Sequence, residues 1–178
     1  MRALAAYWEL PSRQLKTYGK PTYEVWEKLG DEEVPIRQEL IQSLPFVAAV
    51  ALQEKIRTPS SAVFCPGSFA FGNHVFRCWK RTGHGSVDLH RSLVQSCDVY
   101  FYRTGLDIGV DKMAEYMRGF GLGSATGIGL ESERSGVNPS TEWKQERFGK
   151  PWYSGETVSI SIGQGYVTTT PLQMASVM

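Results

Sequence analysis

Three cysteines and one histidine fall in a single stretch of the 178-residue chain: Cys65, twelve residues, Cys78, five residues, His84, twelve residues, Cys97. Three thiolates and an imidazole are a donor set that zinc accepts in structural sites, with ligands roughly 2.0–2.3 Å from the metal. The spacing matches no zinc-finger pattern. Two other readings therefore stand beside zinc: a disulfide that leaves one thiol over, or three small buried hydrophobic side chains. His74, in the Gly72-Asn73-His74 turn, is a substitute for His84 as ligand. His90, two residues after Asp88 on a predicted helix, reads as a surface side chain rather than a base. Cys97 stands between Ser96 and Asp98, and without further context those two are residues that cap a helix.

The elements that must position these groups follow from composition and pattern. At 42% hydrophobic and 21% charged residues, the chain is an ordinary globular sequence long enough to bury a core, which excludes disorder, collagen and coiled coil. Nineteen Lys and Arg against eighteen Asp and Glu leave a net charge of +1, so the basic excess that nucleic acid requires is missing. No apolar run approaches the roughly 20 residues of a membrane span. Residues 1–10 lack the apolar core of a secretory signal, so the chain is expected to be neither exported nor anchored by its own sequence.

Residues 1–42 read as an exposed or partly docked segment, with a turn at Gly30-Asp31-Glu32-Glu33. An Ala-rich run from Phe46 to Ile56 predicts a buried helix ended by Thr58-Pro59. The alternation of Phe69, Phe71 and Val75 around Gly72-Asn73 predicts a short hairpin. Asp88 caps a helix with Leu89, Leu93 and Val94 on its apolar side, and a second helix follows Asp111 with Met113, Ala114, Met117 and Phe120 at helical spacing. Residues 121–165, rich in Gly, Ser and Pro, read as loops with short strands. Thr170-Pro171-Leu172-Gln173 is a capping-box pattern that starts a helix, and the chain stops inside that helix at Met178, as a truncated domain would. Trp79 and Trp152 read as aromatic core rather than as groove lining.

The passage Gly83-His84-Gly85-Ser86-Val87-Asp88-Leu89-His90, followed by Gln95-Ser96-Cys97-Asp98-Val99-Tyr100-Phe101-Tyr102, belongs to a longer ordered series. Phe64-Cys65-Pro66-Gly67 precedes it, and Gly155-Glu156-Thr157, Gly163-Gln164-Gly165 and Thr170-Pro171-Leu172-Gln173 follow it. In this order, from about Ser43 to Met178, the chain resembles the transpeptidase domain of class B penicillin-binding proteins, of the penicillin-binding protein 2 type. The resemblance implies an α+β fold of the penicillin-binding, serine β-lactamase-like kind, present incompletely and mostly as its helical lobe. It divides the chain into an unassigned segment, 1–42, and a partial transpeptidase domain, 43–178, cut before the Lys-Thr-Gly strand.

Such domains crosslink peptidoglycan stem peptides, are acylated by β-lactams, and use Ser-x-x-Lys, Ser-x-Asn or Ser-x-Asp, and Lys-Thr-Gly motifs. The resemblance makes Ser96-Cys97-Asp98 the second motif, with the Ser96 hydroxyl in a proton-relay network and Asp98 orienting substrate or the motif lysine. No Ser stands three residues before any Lys in the sequence, and the first motif maps near Ser43-Leu44-Pro45-Phe46, where Ser43 is the remnant nucleophile. Arg81-Thr82-Gly83 and Arg103-Thr104-Gly105 imitate the third motif but read as turn residues. The resemblance also implies metal-capable residues at Cys65, Cys78, His84 and Cys97, a structural zinc holding the loop in register, and a place on the periplasmic face of the bacterial inner membrane. Stem peptides, β-lactams and other cell-wall elongation proteins are the implied partners. With one motif of three intact, no turnover is expected. A non-catalytic, zinc-stabilised binding module of the cell-wall machinery is the alternative.

Overall fold

The computed structural model describes residues 25–29, 32–36, 43–129 and 133–177. Strands β1 (Val25–Leu29) and β2 (Glu32–Ile36) pair antiparallel, which puts Glu32 and Glu33 of the expected turn into the second strand. The rest of the 1–42 segment lies outside the described residues. Helix α1 (Ser43–Gln53) begins three residues before the apolar run, because Pro45 in a first turn withholds an N–H that has no helical partner anyway. It buries Val47, Ala48, Val50 and Ala51, and Lys55 at φ +57 turns the chain out of it.

Strand β3 (Val63–Cys65) pairs antiparallel with β6 (Gly85–Val87), in a register that sets Cys65 opposite Gly85. Between them, β4 (Ser68–Phe71) and β5 (His74–Arg77) form the expected hairpin around Gly72-Asn73. Helix α2 (Leu89–Val94) is capped by the Asp88 carboxylate, which accepts from the Arg91 N–H at 2.8 Å. Its buried positions are Leu89 and Ser92, whereas Val94 is 71% exposed. In so short a helix the Leu89/Ser92 spacing decides which side faces inward, and Val94 lies off that side.

Helix α3 (Asp98–Ile108) is the centre of the molecule. Val99, Tyr100, Phe101, Tyr102, Thr104, Gly105 and Ile108 are all buried, as in a helix covered on nearly every side. The Phe69 and Phe76 rings of the hairpin lie 6.2 and 5.7 Å from the Tyr102 ring. Arg103-Thr104-Gly105 stands inside this helix, not in a turn, while Arg81-Thr82-Gly83 does lie in the turn before β6. Helix α4 (Val110–Gly119) buries Met113, Ala114 and Met117 as expected and Val110 besides, whereas Phe120, expected on the same side, is 41% exposed. Phe120 follows as its C-cap and meets Phe46 edge-on at 5.8 Å.

The stretch 121–165 holds two helices that its composition conceals: α5 (Thr141–Phe148) and α6 (Ser154–Ile160). Ser140 caps α5 by accepting from the Trp143 N–H at 3.0 Å, and Gly149 closes it in the left-handed conformation at φ 63. Gly149 and Pro151 thus stand between these helices, and Gly155 in the first turn of α6. Helix α7 (Pro171–Val177) carries the expected capping box: Gln173 N–H donates to Thr170 Oγ1 at 3.1 Å, and Thr170 N–H to Gln173 Oε1 at 2.8 Å.

Helices α5 and α6 are joined by an ion pair in which the buried Lys144 Nζ donates to both carboxylate oxygens of the half-buried Glu156. The Tyr153, Trp152 and Tyr166 rings surround the ammonium at 4.5, 5.6 and 5.8 Å. Glu156 also accepts from the Tyr153 N–H at 2.9 Å and the Tyr166 hydroxyl at 3.2 Å. Lys144→Met is expected to cost about 2 kcal/mol in urea unfolding, because it takes a charged hydrogen-bond donor from a half-buried carboxylate. A midpoint unchanged within error would show that the pair is solvated.

Among the described residues the strands form three separate two-stranded pairs beside seven helices. The arrangement is α+β and mostly helical. No helix of the described residues is long and apolar enough to cross a membrane.

Candidate metal centre and the Ser96 loop

Four elements each deliver one ligand to a single point. Cys65 ends β3, Cys78 follows β5, His84 precedes β6, and Cys97 is the N-cap of α3. All four are buried, the cysteines are free thiols, and the ligand atoms lie within 4.8 Å of one another. His84 Nδ1 is 3.6 Å from Cys65 Sγ and 3.4 Å from Cys78 Sγ. A tetrahedral zinc with ordinary bond lengths requires a sulfur–nitrogen edge of about 3.6 Å. The cradle fits that ion in donor chemistry and in size.

Close backbone packing brings the first three ligands together. Gly67 at φ +95 and Gly83 at φ +79 face each other across the loop, and a Cβ on Gly83 would strike the Cys65 carbonyl oxygen and come within 2.7 Å of the Pro66 carbonyl carbon. Cys78 N–H donates to Gly67 O at 2.9 Å. A hydrogen bond from the Cys97 thiol holds Cys78 down to about 4, while the same bond and then burial push Cys97 above its ordinary range. His74 plays no part in the cradle: it sits exposed at the hairpin tip, paired with Phe71. His90 is exposed on α2, as expected of a surface residue.

Ser96 is exposed and takes φ +48, a left-handed conformation that costs a non-glycine residue about 1 kcal/mol or more. Its N–H donates to Leu93 O at 3.2 Å, and Cys97 N–H to Ser92 O at 2.9 Å. The cap reading does not hold for Ser96 and Asp98. The N-cap is Cys97, with no side-chain capping bond, Ser96 lies before it, and Asp98 is the first helical residue. There the Asp98 carboxylate meets the positive end of α3 and accepts from the Trp79 N–H at 2.8 Å. Ser96 and Asp98 thus flank Cys97, Ser96 on the loop and Asp98 at the head of α3. Ser43 opens α1, and its side chain lies outside the described residues.

Trp79 is the residue that sequence reasoning misplaced. It is 53% exposed rather than core, and its indole Nε1–H donates to Gln95 O at 2.9 Å. The one signal in the sequence was its position beside Cys78. The strain at Ser96 is open to test. Ser96→Gly is expected to raise stability by up to about 1 kcal/mol, since glycine adopts this φ without strain, whereas Ser96→Ala keeps the strain. Equal denaturation midpoints for the two variants would count against strain at this position.

Comparison with known proteins places this geometry in a family. Residues 45–178 match the model of the penicillin binding protein transpeptidase domain. The chain is 45% identical over 160 residues to the peptidoglycan D,D-transpeptidase MrdA of Escherichia coli K12, covering 84% of this chain and 25% of that protein. It is 44% identical over 133 residues to MrdA of Haemophilus influenzae, covering 74% of this chain and 20% of that protein. The chain thus spans a fifth to a quarter of the length of these curated relatives. The structure of Pseudomonas aeruginosa PBP2 in complex with WCK 5153 superimposes with a TM-score of 0.71 at 38% identity, over 75% of this chain and 31% of that one. The complex between PBP2 and MreC from Helicobacter pylori gives 0.69 at 36% identity, over 74% of this chain and 25% of that one. With the family model matched over most of the described residues and PBP2 structures sharing the fold, the chain belongs to the penicillin-binding protein transpeptidase family, as a partial member of the penicillin-binding protein 2 type.

Proposed function

We propose that residues 43–178 supply the second-motif wall of a peptidoglycan D,D-transpeptidase site, and that this chain alone does not turn over. Residues 1–42 stand apart from that domain in this reading. The observation that carries it is Ser96-Cys97-Asp98 at the head of the buried central helix, in a sequence with no Ser-x-x-Lys and no Lys-Thr-Gly. In the complete reaction a serine attacks the penultimate D-Ala carbonyl of a stem peptide, D-Ala leaves, and an amine from a neighbouring peptide resolves the acyl-enzyme. Ser96 would pass a proton between the nucleophile and the departing or arriving amine. Asp98, held by Trp79, would keep the loop and the peptide oriented. Ser43 is the remnant of the nucleophile position, and a serine without an adjacent base attacks poorly.

Cys65, Cys78, His84 and Cys97 would hold one zinc ion, which in this reading supplies a structural clamp with all four positions filled by protein. The chain's place is the periplasmic side of the inner membrane, where stem peptides and β-lactams are met. Its partners are other cell-wall proteins, a reading supported by the MreC complex of the Helicobacter pylori relative. The test is incubation of the folded chain with a fluorescent penicillin, followed by mass mapping. The expected result is no covalent label. A label on Ser43 would mean that it acts as a working nucleophile, and a label on Ser96 would overturn its role as a proton relay.

A further inference from the structure

Trp79 follows Cys78 directly and reaches the Ser96 loop from both sides. Its backbone N–H donates to Asp98 Oδ2 at 2.8 Å and its indole Nε1–H to Gln95 O at 2.9 Å. Gln95 and Asp98 bracket Ser96 and Cys97, so a single residue grips the loop on either side of the strained serine. The same indole meets the His84 ring edge-on, with centroids 5.3 Å apart, and His84 Nε2 is buried with no hydrogen-bond partner. An indole placed for packing alone would be covered, yet more than half of this one is open to solvent. Its polar contacts therefore explain its position better than its buried area does.

We infer that Trp79 is a positioning residue that couples the cysteine–histidine cradle to the Ser96 loop. The inference rests on the metal reading of the cradle proposed above. Before metal binds, the four ligand side chains are tied by thiol and imidazole contacts alone, which are weak. A bound ion sets Cys78 and His84 at fixed distances, and those two hold Trp79 through the chain on one side and ring contact on the other. Trp79 then carries that constraint to Gln95 and Asp98 through two N–H donors aimed at separate acceptors. Cys97 acts on the same loop from within. Without the indole N–H, Trp79 keeps one of its two bonds to the loop, which opens more readily.

The experiment compares zinc-loaded and zinc-free chain by amide hydrogen exchange at Ser96, whose N–H bond to Leu93 O reports opening of the loop. Three proteins are used: wild type, Trp79→Phe, and a chain carrying benzothienylalanine at position 79, which keeps the ring shape but replaces the N–H with sulfur. Cobalt(II) in place of zinc gives a thiolate-to-metal absorption band that reports the ligand set independently of the loop. The expected result is the same cobalt band in all three, with zinc slowing Ser96 exchange in wild type and the slowing about fivefold smaller in both variants, the effect of one hydrogen bond. An intact band with wild-type slowing in both variants overturns the role of Trp79 and leaves the cradle reading in place. A band lost only in the variants makes Trp79 part of the cradle's own support and likewise overturns the coupling. No band in wild type overturns the cradle reading and the coupling together.

Discussion

Removing zinc from the loaded chain, or replacing Cys97 with alanine, is expected to lower the unfolding temperature by about 8–16 °C. An ion that binds only the folded state adds about 4 kcal/mol when its free concentration is a thousandfold above the dissociation constant. In a domain of this size each kcal/mol moves the midpoint by about 2–4 °C. The stabilisation concentrates in this cradle because the four ligands come from β3, the segment after β5, the turn before β6 and the head of α3. One ion there would tie the hairpin and both strands of the β3–β6 pair to the central helix. Differential scanning calorimetry with and without a chelator reads the effect. A midpoint indifferent to the chelator in wild type would show that hydrophobic packing alone closes the cradle.

Gly105→Ala is the second large effect, an expected net loss of about 2 kcal/mol in urea unfolding. Gly105 lies where α3 crosses α6, and a Cβ there would land inside the Ser161 hydroxymethyl group, 2.6 Å from its Cβ. Alanine gains roughly 1 kcal/mol of helix propensity over glycine, but overpacking a filled contact costs about 1–3 kcal/mol or more. Ser161 is fully buried and donates its hydroxyl to Thr157 O, so it has no free space to turn into. The clash should win. The paired variant Gly105→Ala with Ser161→Gly is expected to recover most of the loss, since the two sites share one contact. Additive losses in the pair would place the cost elsewhere.

What could be read from the sequence depended on whether the signal was local. The capping box at Thr170 and Gln173, the Asp88 cap and the Gly72-Asn73 hairpin are written in adjacent residues, and each forms as read. Helices α5 and α6 were hidden because Gly149, Pro151 and Gly155 dominate the local composition, although they stand at helix ends or in a first turn. Helix α3 showed only through its family motif and the capping residue types at its head. Its buried face spans most of its circumference, so no 3.6-residue alternation marks it. The four metal-capable residues stood out by type, and the fold brings all four together. The grip of Trp79 on the Ser96 loop could not be read, since it depends on a contact across sixteen residues between two turns.

The central claim is that four side chains from four elements hold one ion that keeps Ser96 and Asp98 in place. X-ray absorption at the zinc K edge, on chain reconstituted with zinc and freed of excess metal, tests it most directly. The account predicts one zinc per chain, with three sulfur neighbours near 2.3 Å and one nitrogen near 2.0–2.1 Å. A chain that retains no zinc after the excess is removed, or a shell of oxygen and nitrogen without sulfur, would contradict it.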